Sequence, residues 1–422
     1  MHTLEKSIWE GENGHTMREW LAKTSEPLIG AYFFLGLMPF SGVPAVAKAT
    51  SAILVIAALL MMMSTSDPRG LTKVSSSLGL AIIAFLCSIL LSTLFSSAPA
   101  RSAEMLAMPV AGLLVCALTA FTSRPYFLIK TYCYANLLTL LTLTGTLLFL
   151  RLFDAQTAPT EQLGQFSISF FRVPNDVLYF LLSWPLFHWA ANHQFVGAIL
   201  SRQLLVLSYP VCLLVLATLL QSRSAFLLTA VTLLIYAFLG ARERRRVSYI
   251  LLTSGAIAAL ILASPAFMEK LTDIFSSSQR LWIWYVSAQM VPASDYWIGV
   301  GHGLFDVTFE MARTQAEWPP YLTEDPRRIG WAHNLFLEAW VERGFIGFAA
   351  LAFLLLRLRR ELINRSANIG PRKAALAALT LFAVTSCFEL TFARLWVWLT
   401  LGLLAGLALN NVAPKPSTES TG

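Results

Sequence analysis

The sequence predicts an all-α, polytopic membrane protein, and two of its features carry that prediction. The 422 residues are 56% hydrophobic and only 13% charged, with a mean hydropathy of +0.62. An average soluble domain carries about 25% charged residues. In addition, apolar runs of about 17–22 residues recur from residue 27 to residue 410, and each is long enough to cross the hydrocarbon core of a bilayer.

These apolar runs predict about twelve transmembrane helices. They are placed at residues 27–42, 46–64, 75–94, 104–122, 131–150, 174–191, 203–220, 224–240, 248–265, 334–356, 373–390 and 394–410. The predicted divisions of the chain are a cytoplasmic N-terminal segment (1–26), transmembrane helices 1–9 (27–265), a periplasmic loop with short amphipathic helices (266–333), transmembrane helices 10–12 (334–410) and a cytoplasmic, disordered tail (411–422). The N-terminal segment lacks the pattern of a cleaved signal peptide, so we expect the first helix to remain in the mature protein.

The net charge of +7 is explained by membrane topology. Its basic clusters lie in short loops that directly adjoin apolar runs, which is the pattern of cytoplasmic loops under the positive-inside rule. We therefore expect no nucleic-acid partner. The two clusters are Arg242, Arg244, Arg245 and Arg246, and Arg357, Arg359, Arg360, Arg365, Arg372 and Lys373.

Cysteines and metal-binding patterns give no sign of a disulfide, a metal site or a cofactor. All five cysteines lie inside apolar runs without paired spacing, which is typical of small buried hydrophobic residues. The sequence has no His-x-x-x-His, Cys-x-x-Cys, Walker A or Gly-x-Ser-x-Gly pattern. We therefore expect no metal and no cofactor.

The long loop, defined here as residues 266–333, is the longest polar stretch of the chain. Loops of this length are more often functional than simple connections. It contains an amphipathic piece at residues 278–285, which is predicted to lie against the membrane surface. A glycine-rich turn at residues 299–303 follows. A second loop on the same side of the membrane, at about residues 151–173, ends beside the predicted helix start Pro174-Asn175.

Few arginines are predicted to face the side of the membrane that carries the long loop. Arg223 lies between two closely spaced spans, Arg280 begins the amphipathic piece, and Arg172 precedes Pro174. An arginine near hydrocarbon is costly unless an anion or a carboxylate compensates for it. Planar guanidinium groups suit a diphosphate, because each can donate paired hydrogen bonds to phosphate oxygens. The alternative is that these arginines only anchor the protein at the lipid headgroups.

His333 and Asn334 begin the tenth predicted span, at the water end of a membrane helix. An imidazole with an unperturbed pKa near 6.5 can act as a neutral base, and the helix start favours an anion nearby. The alternative is a hydrogen-bonded interface histidine. His302 lies among glycines in a predicted tight turn, so it is interpreted as structural.

Three further residues are predicted to support this site. Asn334 follows the histidine directly. Glu389 is placed near the outer end of the eleventh span, where it can pair with an arginine. Glu342 lies four residues after Glu338 on the same helix face.

Together these motifs resemble the superfamily of O-antigen ligases and polymerases, which are bacterial membrane glycosyltransferases. The matching residues are His333-Asn334 with Leu337, Glu342 and Gly344, the turn Gly299-Val300-Gly301-x-Gly303, Arg280 with Trp282 and Trp284, Arg223 with Ser224, and Pro174-Asn175. Each motif is short, but their order and their placement in the membrane are specific. The resemblance in motif covers mainly residues 170–345.

The resemblance implies a multi-pass protein of the bacterial inner membrane whose active site faces the periplasm. It implies transfer of a glycan from an undecaprenyl diphosphate carrier to lipid A-core, without a metal. By the same resemblance, Arg223 and Arg280 bind the diphosphate and His333 activates the acceptor hydroxyl. An aspartate or glutamate as the base stays open at this point.

Two other functions within the superfamily, and one outside it, are alternatives. O-antigen polymerases often carry two large outer loops, whereas one loop dominates here. Protein O-oligosaccharyltransferases tend to carry an extra C-terminal region, which this chain lacks after residue 410. A transporter of lipid-linked sugars would more naturally show inverted repeats and charges at mid-membrane. The sequence therefore favours the ligase.

Overall fold

The computed structural model describes residues 17–37, 44–64, 76–122, 125–153, 174–193, 199–240, 255, 279–290, 295–365 and 370–410. Within these ranges the protein forms helices, turns and loops and no β-strand. The helices are α1 Met17–Leu37, α2 Pro44–Ser64, α3 Ser76–Leu94, α4 Pro99–Met105, α5 Ala107–Phe121, α6 Pro125–Phe153, a 3-10 helix Pro174–Val177, α7 Leu178–His193, α8 Ile199–Leu219, α9 Arg223–Gly240, α10 Gln279–Gln289, α11 Phe305–Arg313, α12 Leu335–Arg365, α13 Gly370–Ser386 and α14 Leu395–Leu409.

The predicted all-α class is confirmed over the described residues, and they are apolar enough for a membrane protein. Stretches long and apolar enough to cross a bilayer are Ser77–Leu94, Pro99–Phe121, Pro125–Leu150 and Leu335–Asn364, which makes 4 among the described residues. The ninth predicted span, 248–265, lies outside the described residues apart from residue 255. The count of about twelve spans therefore stays a prediction. Helix α1 begins at Met17, ten residues before the predicted start of the first span.

Helices α5 and α14 approach each other so closely that glycine is required at their contact. A Cβ added to Gly112 would lie 2.7 Å from the carbonyl oxygen of Trp398, and one added to Gly402 would overlap the Gly112 backbone. Small residues at such points let two helix backbones come together, as is common in membrane bundles. This contact fixes the start of α14, and with it the turn between α13 and α14.

Helix α12 is broken at Gly344, which has φ 62° and ψ −168°. Here the glycine-rich turn of the long loop pairs with the helix backbone. The Val300 and Gly301 N–H groups donate to the Val341 and Glu342 carbonyls at 3.0 Å each. On the other side of the break, the Phe345 N–H donates to the Tyr296 carbonyl at 2.8 Å. The tenth predicted span therefore corresponds to Leu335–Asn364, and at the break the turn supplies the hydrogen bonds that the helix gives up.

The described part of the long loop has a hydrophobic core of its own. Trp282 and Ile283 of α10 pack with Phe305 and Phe309 of α11 and with Leu322. Trp282 is fully buried, whereas Leu281 and Tyr285 on the other face are exposed. Trp282 and Ile283 are therefore covered by the long loop itself, and the placement of α10 against the membrane surface stays a prediction. The loop holds α10 firmly, and so it fixes Arg280 in the first turn of that helix.

Candidate active site

The beginnings of the 3-10 helix, α9, α10 and α12 meet at the turn between α13 and α14. Each contributes a polar side chain that follows from its helix start: Asn175, Ser224, Arg280 and His333. Helix N-termini carry unpaired N–H groups and a partial positive charge, so together they favour an anion. The carboxylate of Glu389, in the turn, lies at their meeting point.

Glu389 accepts hydrogen bonds on both oxygens, and its side chain is only 1% exposed. Arg280 Nη2 and Ser224 Oγ both donate to Oε1. Asn175 Nδ2 donates to Oε2 at 2.9 Å, and His333 Nδ1 lies 3.2 Å from the same oxygen. The predicted pairing of Glu389 with an arginine is confirmed, and the arginine is Arg280.

The surroundings of Glu389 keep it ionised. Burial opposes the charged form, but the hydrogen bond to His333 and the charge of Arg280 outweigh burial and lower the pKa of Glu389 to about 2. A carboxylate this weakly basic and this buried is poorly suited to take a proton from a substrate. Glu389 is therefore a poor candidate for an acidic residue that acts as the base.

His333 is the member of the cluster that combines a basic nitrogen with access to the surface. Its backbone has φ 53°, and its side chain is 22% exposed. Trp331 Nε1 also approaches Nδ1, at 3.3 Å, so two groups compete for this nitrogen. The ionised carboxylate is the stronger partner. We assign the proton to Nδ1, donated to Glu389, which leaves Nε2 as the basic nitrogen.

Asn334 and Glu338 of α12 hold the Glu389 turn at both of its ends. Asn334 caps α12, accepting from the N–H groups of residues 336 and 337, while its Nδ2 donates to the Cys387 carbonyl at 3.1 Å. Glu338 Oε1 accepts from Thr391 Oγ1 and from the Phe392 N–H, both at 2.8 Å. Because His333 directly precedes this capping residue, the same helix start positions both the histidine and its carboxylate partner.

The predicted diphosphate-binding arginines differ in how the structure places them. Arg280 is 40% exposed while it contacts Glu389, so part of its guanidinium faces outward. Arg223 is the first residue of α9 and is half-buried. Its neighbours Ser222 and Ser224 both bond into the cluster, Ser222 through Asn175 Oδ1 at 2.7 Å. Arg172 lies outside the described residues.

Glu342, predicted to support the site, belongs to a second cluster. Its Oε2 lies 3.3 Å from His302 Nδ1 and 3.6 Å from Arg343 Nη2. Of the contacts described for Glu342, none is to His333 or Glu389. The break at Gly344 and the pairing with the glycine-rich turn explain this, because they draw residues 341–343 toward His302. The described contacts of Glu342 are therefore with His302 and Arg343, and its supporting role at the site stays a prediction.

Sequence reasoning missed Trp331 and Arg394. The Arg394 guanidinium carbon lies 4.3 Å from the centre of the Trp331 ring, and Trp331 in turn contacts His333. Arg394 Nε also lies 3.5 Å from Asp176 Oδ1, a residue of the 3-10 helix. Arg394 lies at the start of α14, in the same turn as Glu389, and this position is the one sequence signal that could have pointed to Arg394. Within the described residues, no group of three or more His, Cys, Asp or Glu side chains is arranged to hold a metal ion.

The arrangement can bind an anion and accept a proton at adjacent points. Arg280 and the helix starts, among them that of α9 at Arg223, supply positive charge beside Glu389, and a neutral His333 imidazole held by that carboxylate can accept a proton. Residues 209–352 of the chain match a family model described as O-antigen ligase. The match contains Arg223, Arg280 and His333, and it confirms the resemblance to the O-antigen ligase superfamily. No curated protein matches the sequence significantly.

Proposed function

We propose that this protein is an O-antigen ligase of lipopolysaccharide biosynthesis. It would transfer a glycan from undecaprenyl diphosphate to lipid A-core at the periplasmic face of the bacterial inner membrane. The observation that carries the proposal is the convergence of Arg280, His333 and several helix starts on the buried carboxylate of Glu389. The family match over residues 209–352 supports a glycosyltransferase of this superfamily.

In the proposed reaction, the acceptor hydroxyl attacks the anomeric carbon of the donor glycan. The new carbon–oxygen bond forms as the bond between that carbon and the diphosphate breaks, and the hydroxyl proton passes to His333 Nε2. Undecaprenyl diphosphate leaves with the bonding electron pair. A single displacement of this kind inverts the anomeric configuration.

Arg280 and Arg223, with the start of α9, would stabilise the charge that develops on the leaving diphosphate. Fixed guanidinium groups can take this role directly, so we propose that transfer needs no metal. Glu389 would hold the His333 ring and balance the imidazolium that forms during the reaction, as the carboxylate does in a serine-protease triad.

Reconstitution with both lipid substrates tests the proposal. Purified protein in excess EDTA should convert lipid A-core into a glycan-capped product, visible as a shift on a lipopolysaccharide gel. A polymerase, which could use the same site, would instead lengthen the lipid-linked donor without consuming lipid A-core. Activity that requires added Mg²⁺ or Mn²⁺ would contradict the metal-independent mechanism.

In cells, deletion of the gene provides a second test. Loss of the capped ladder, with intact core and accumulating lipid-linked glycan, is the result expected for a ligase. Loss of a transporter would leave the lipid-linked glycan at the cytoplasmic face, because the donor would fail to reach the periplasmic side. The face at which the donor accumulates therefore separates the two functions.

A further inference from the structure

A groove opens between α1, α2 and α5 and runs to the turn before α14. It encloses about 330 Å³. Its walls are mainly apolar, and include Leu54, Val55, Met108, Val110 and Ala111. Val55 and Val110 are about half exposed on the outside of the bundle, at 48% and 52%. In a membrane, that outside surface faces lipid, so a hydrocarbon chain can reach the groove from the bilayer.

One end of the groove is formed by Ala393, Arg394 and Leu395. Arg394 is 7% exposed and stacks on Trp331, which contacts His333. The groove therefore ends in a cation that is one aromatic side chain away from the proposed base. Asp176 faces the Nε of this arginine, and Asp176 Oδ1 also accepts from Trp396 Nε1 at 2.9 Å.

The contacts run in the order Arg280, Glu389, His333, Trp331 and Arg394. Arg280 and Arg394 are at opposite ends of this chain of contacts, with the base between them. In the proposed reaction the diphosphate lies at Arg280. An in-line attack brings the acceptor hydroxyl from the side away from the leaving group, so we place the acceptor toward Trp331 and Arg394, at the other end of this order of contacts.

We propose that this groove holds an acyl chain of the acceptor, an anionic glycolipid whose acidic group lies near Arg394. The inference rests on the proposed function and deepens it, because it gives the acceptor lipid its own site, separate from that of the donor. An apolar wall and a cation at the end nearest the base match the two parts of such a lipid. The bilayer is as apolar as the groove, so the groove contributes orientation and packing and not a hydrophobic driving force.

Filling the groove tests this proposal. Ala111→Phe on α5 and Val55→Phe on α2 place bulk in it from two different helices. Leu113→Phe is the matched control, because Leu113 lies on α5, is 40% exposed and does not line the groove. The measurement is KM for lipid A-core and for the same acceptor after chemical removal of its acyl chains, with KM for the donor determined in parallel.

The native protein and Leu113→Phe should prefer the acylated acceptor, and both filling variants should raise KM for it by about tenfold, a cost of about 1.4 kcal/mol. The preference for the acylated over the deacylated acceptor should then collapse. An unchanged KM for the acylated acceptor in both filling variants would overturn the proposal. So would an equal rise for both acceptors, or a rise in KM for the donor alone.

A binding measurement separates failure of this proposal from failure of the proposed function. A photoreactive lipid A-core should crosslink to α2 and α5 of the native protein and of Leu113→Phe, and to neither filling variant. If the native protein transfers no glycan but shows this crosslinking pattern, the ligase assignment fails and the groove stands. If transfer occurs and the crosslinks are absent or unchanged in the filling variants, the groove fails and the ligase assignment stands.

Discussion

Two clusters in this protein are built from the same kinds of residue, an arginine, a glutamate and a histidine. In the first, Arg280, Glu389 and His333 have side chains that are 40%, 1% and 22% exposed. In the second, the side chains of Arg343, Glu342 and His302 are 0%, 5% and 2% exposed. The residue types are the same, but of these two clusters only the first has a histidine and an arginine that are exposed enough for a substrate to reach.

The partners of the two arginines also differ. Arg280 donates a hydrogen bond to its carboxylate, while Arg343 Nη2 lies 3.6 Å from the Glu342 carboxylate and its guanidinium packs against aromatic rings. Its guanidinium carbon is 4.1 Å from the centre of the Phe392 ring. His302 comes from the turn that pairs with the break in α12. We interpret the second cluster as a structural contact that holds this turn against α12. The first cluster we interpret as the candidate active site.

Replacing the glutamate of each cluster by glutamine should give the largest difference between the two clusters. Glu389→Gln should slow transfer by about 10³–10⁴-fold, because the histidine loses the charge that orients it and balances its protonated form. Glu342→Gln should act mainly on stability, since it removes one partner of a buried ion pair, which typically costs about 3–5 kcal/mol. Size-exclusion chromatography measures the folded fraction of each variant, and single-turnover rates corrected for that fraction measure its transfer activity. Equal rate losses in the two variants would contradict the division of roles.

Replacing Arg280 by lysine tests whether the exposed arginine binds the donor through paired hydrogen bonds. A lysine keeps the charge but cannot reproduce the paired hydrogen bonds of a guanidinium, so we expect a loss of about 10–100-fold in kcat/KM for the donor. Arg101→Lys is the matched control, because Arg101 is an exposed arginine paired with Asp306 of the long loop. Its substitution should change the rate very little. Full activity of the Arg280→Lys variant would indicate that Arg280 only anchors the protein.

Gly344→Ala should weaken the contact between α12 and the glycine-rich turn, which carries His302 of the second cluster. Its backbone conformation is one that only glycine adopts easily, and a Cβ there would overlap the Trp297 backbone. We expect the folded state to lose at least about 1–3 kcal/mol, seen as a lower melting temperature in detergent. Gly145→Ala in α6 is the control, because a Cβ there meets nothing within 4 Å. Equal melting temperatures for the two variants would show that the break in α12 is not required.

The smallest expected effect concerns the pH dependence of stability. Because the pKa of Glu389 is lowered to about 2 in the folded protein, its ionised form stabilises the fold above its ordinary pKa range. This contribution is lost as the pH falls from about 4.5 toward about 2. The difference in melting temperature between the native protein and Glu389→Gln should therefore shrink over that window. A difference that stays constant down to about pH 3 would contradict an ionised, paired Glu389.

The sequence was informative where a polar residue begins a helix. His333, Arg280 and Arg223 were identified because each lies at the water end of an apolar run, and the structure places Arg280 and His333 on one carboxylate. The contacts of Glu342 could not be read from the sequence. Spacing puts it on one helix face with Glu338, but only the folded loop reveals that the glycine-rich turn brings His302 to it.

Contacts between distant segments could not be read from the pattern. The apolar face of α10 predicts burial, yet the sequence does not say whether lipid or the long loop covers Trp282. Likewise, Asn175 and Ser224 meet Glu389 across separations of 214 and 165 residues. Trp331 has no local signal of a functional role, and Arg394 has only its position at the start of α14, because the importance of both depends on contacts with His333 and with the groove.

The central claim is that His333 is the general base, and His333→Ala tests it most directly. Donor affinity and the single-turnover rate at saturating substrates should be measured on the same purified variant. We predict that the variant binds the lipid diphosphate donor nearly as well as the native protein, while the rate falls by about 10²–10⁴-fold. Weak donor binding together with a near-normal rate at saturation would contradict the assignment and would show that His333 only shapes the donor site.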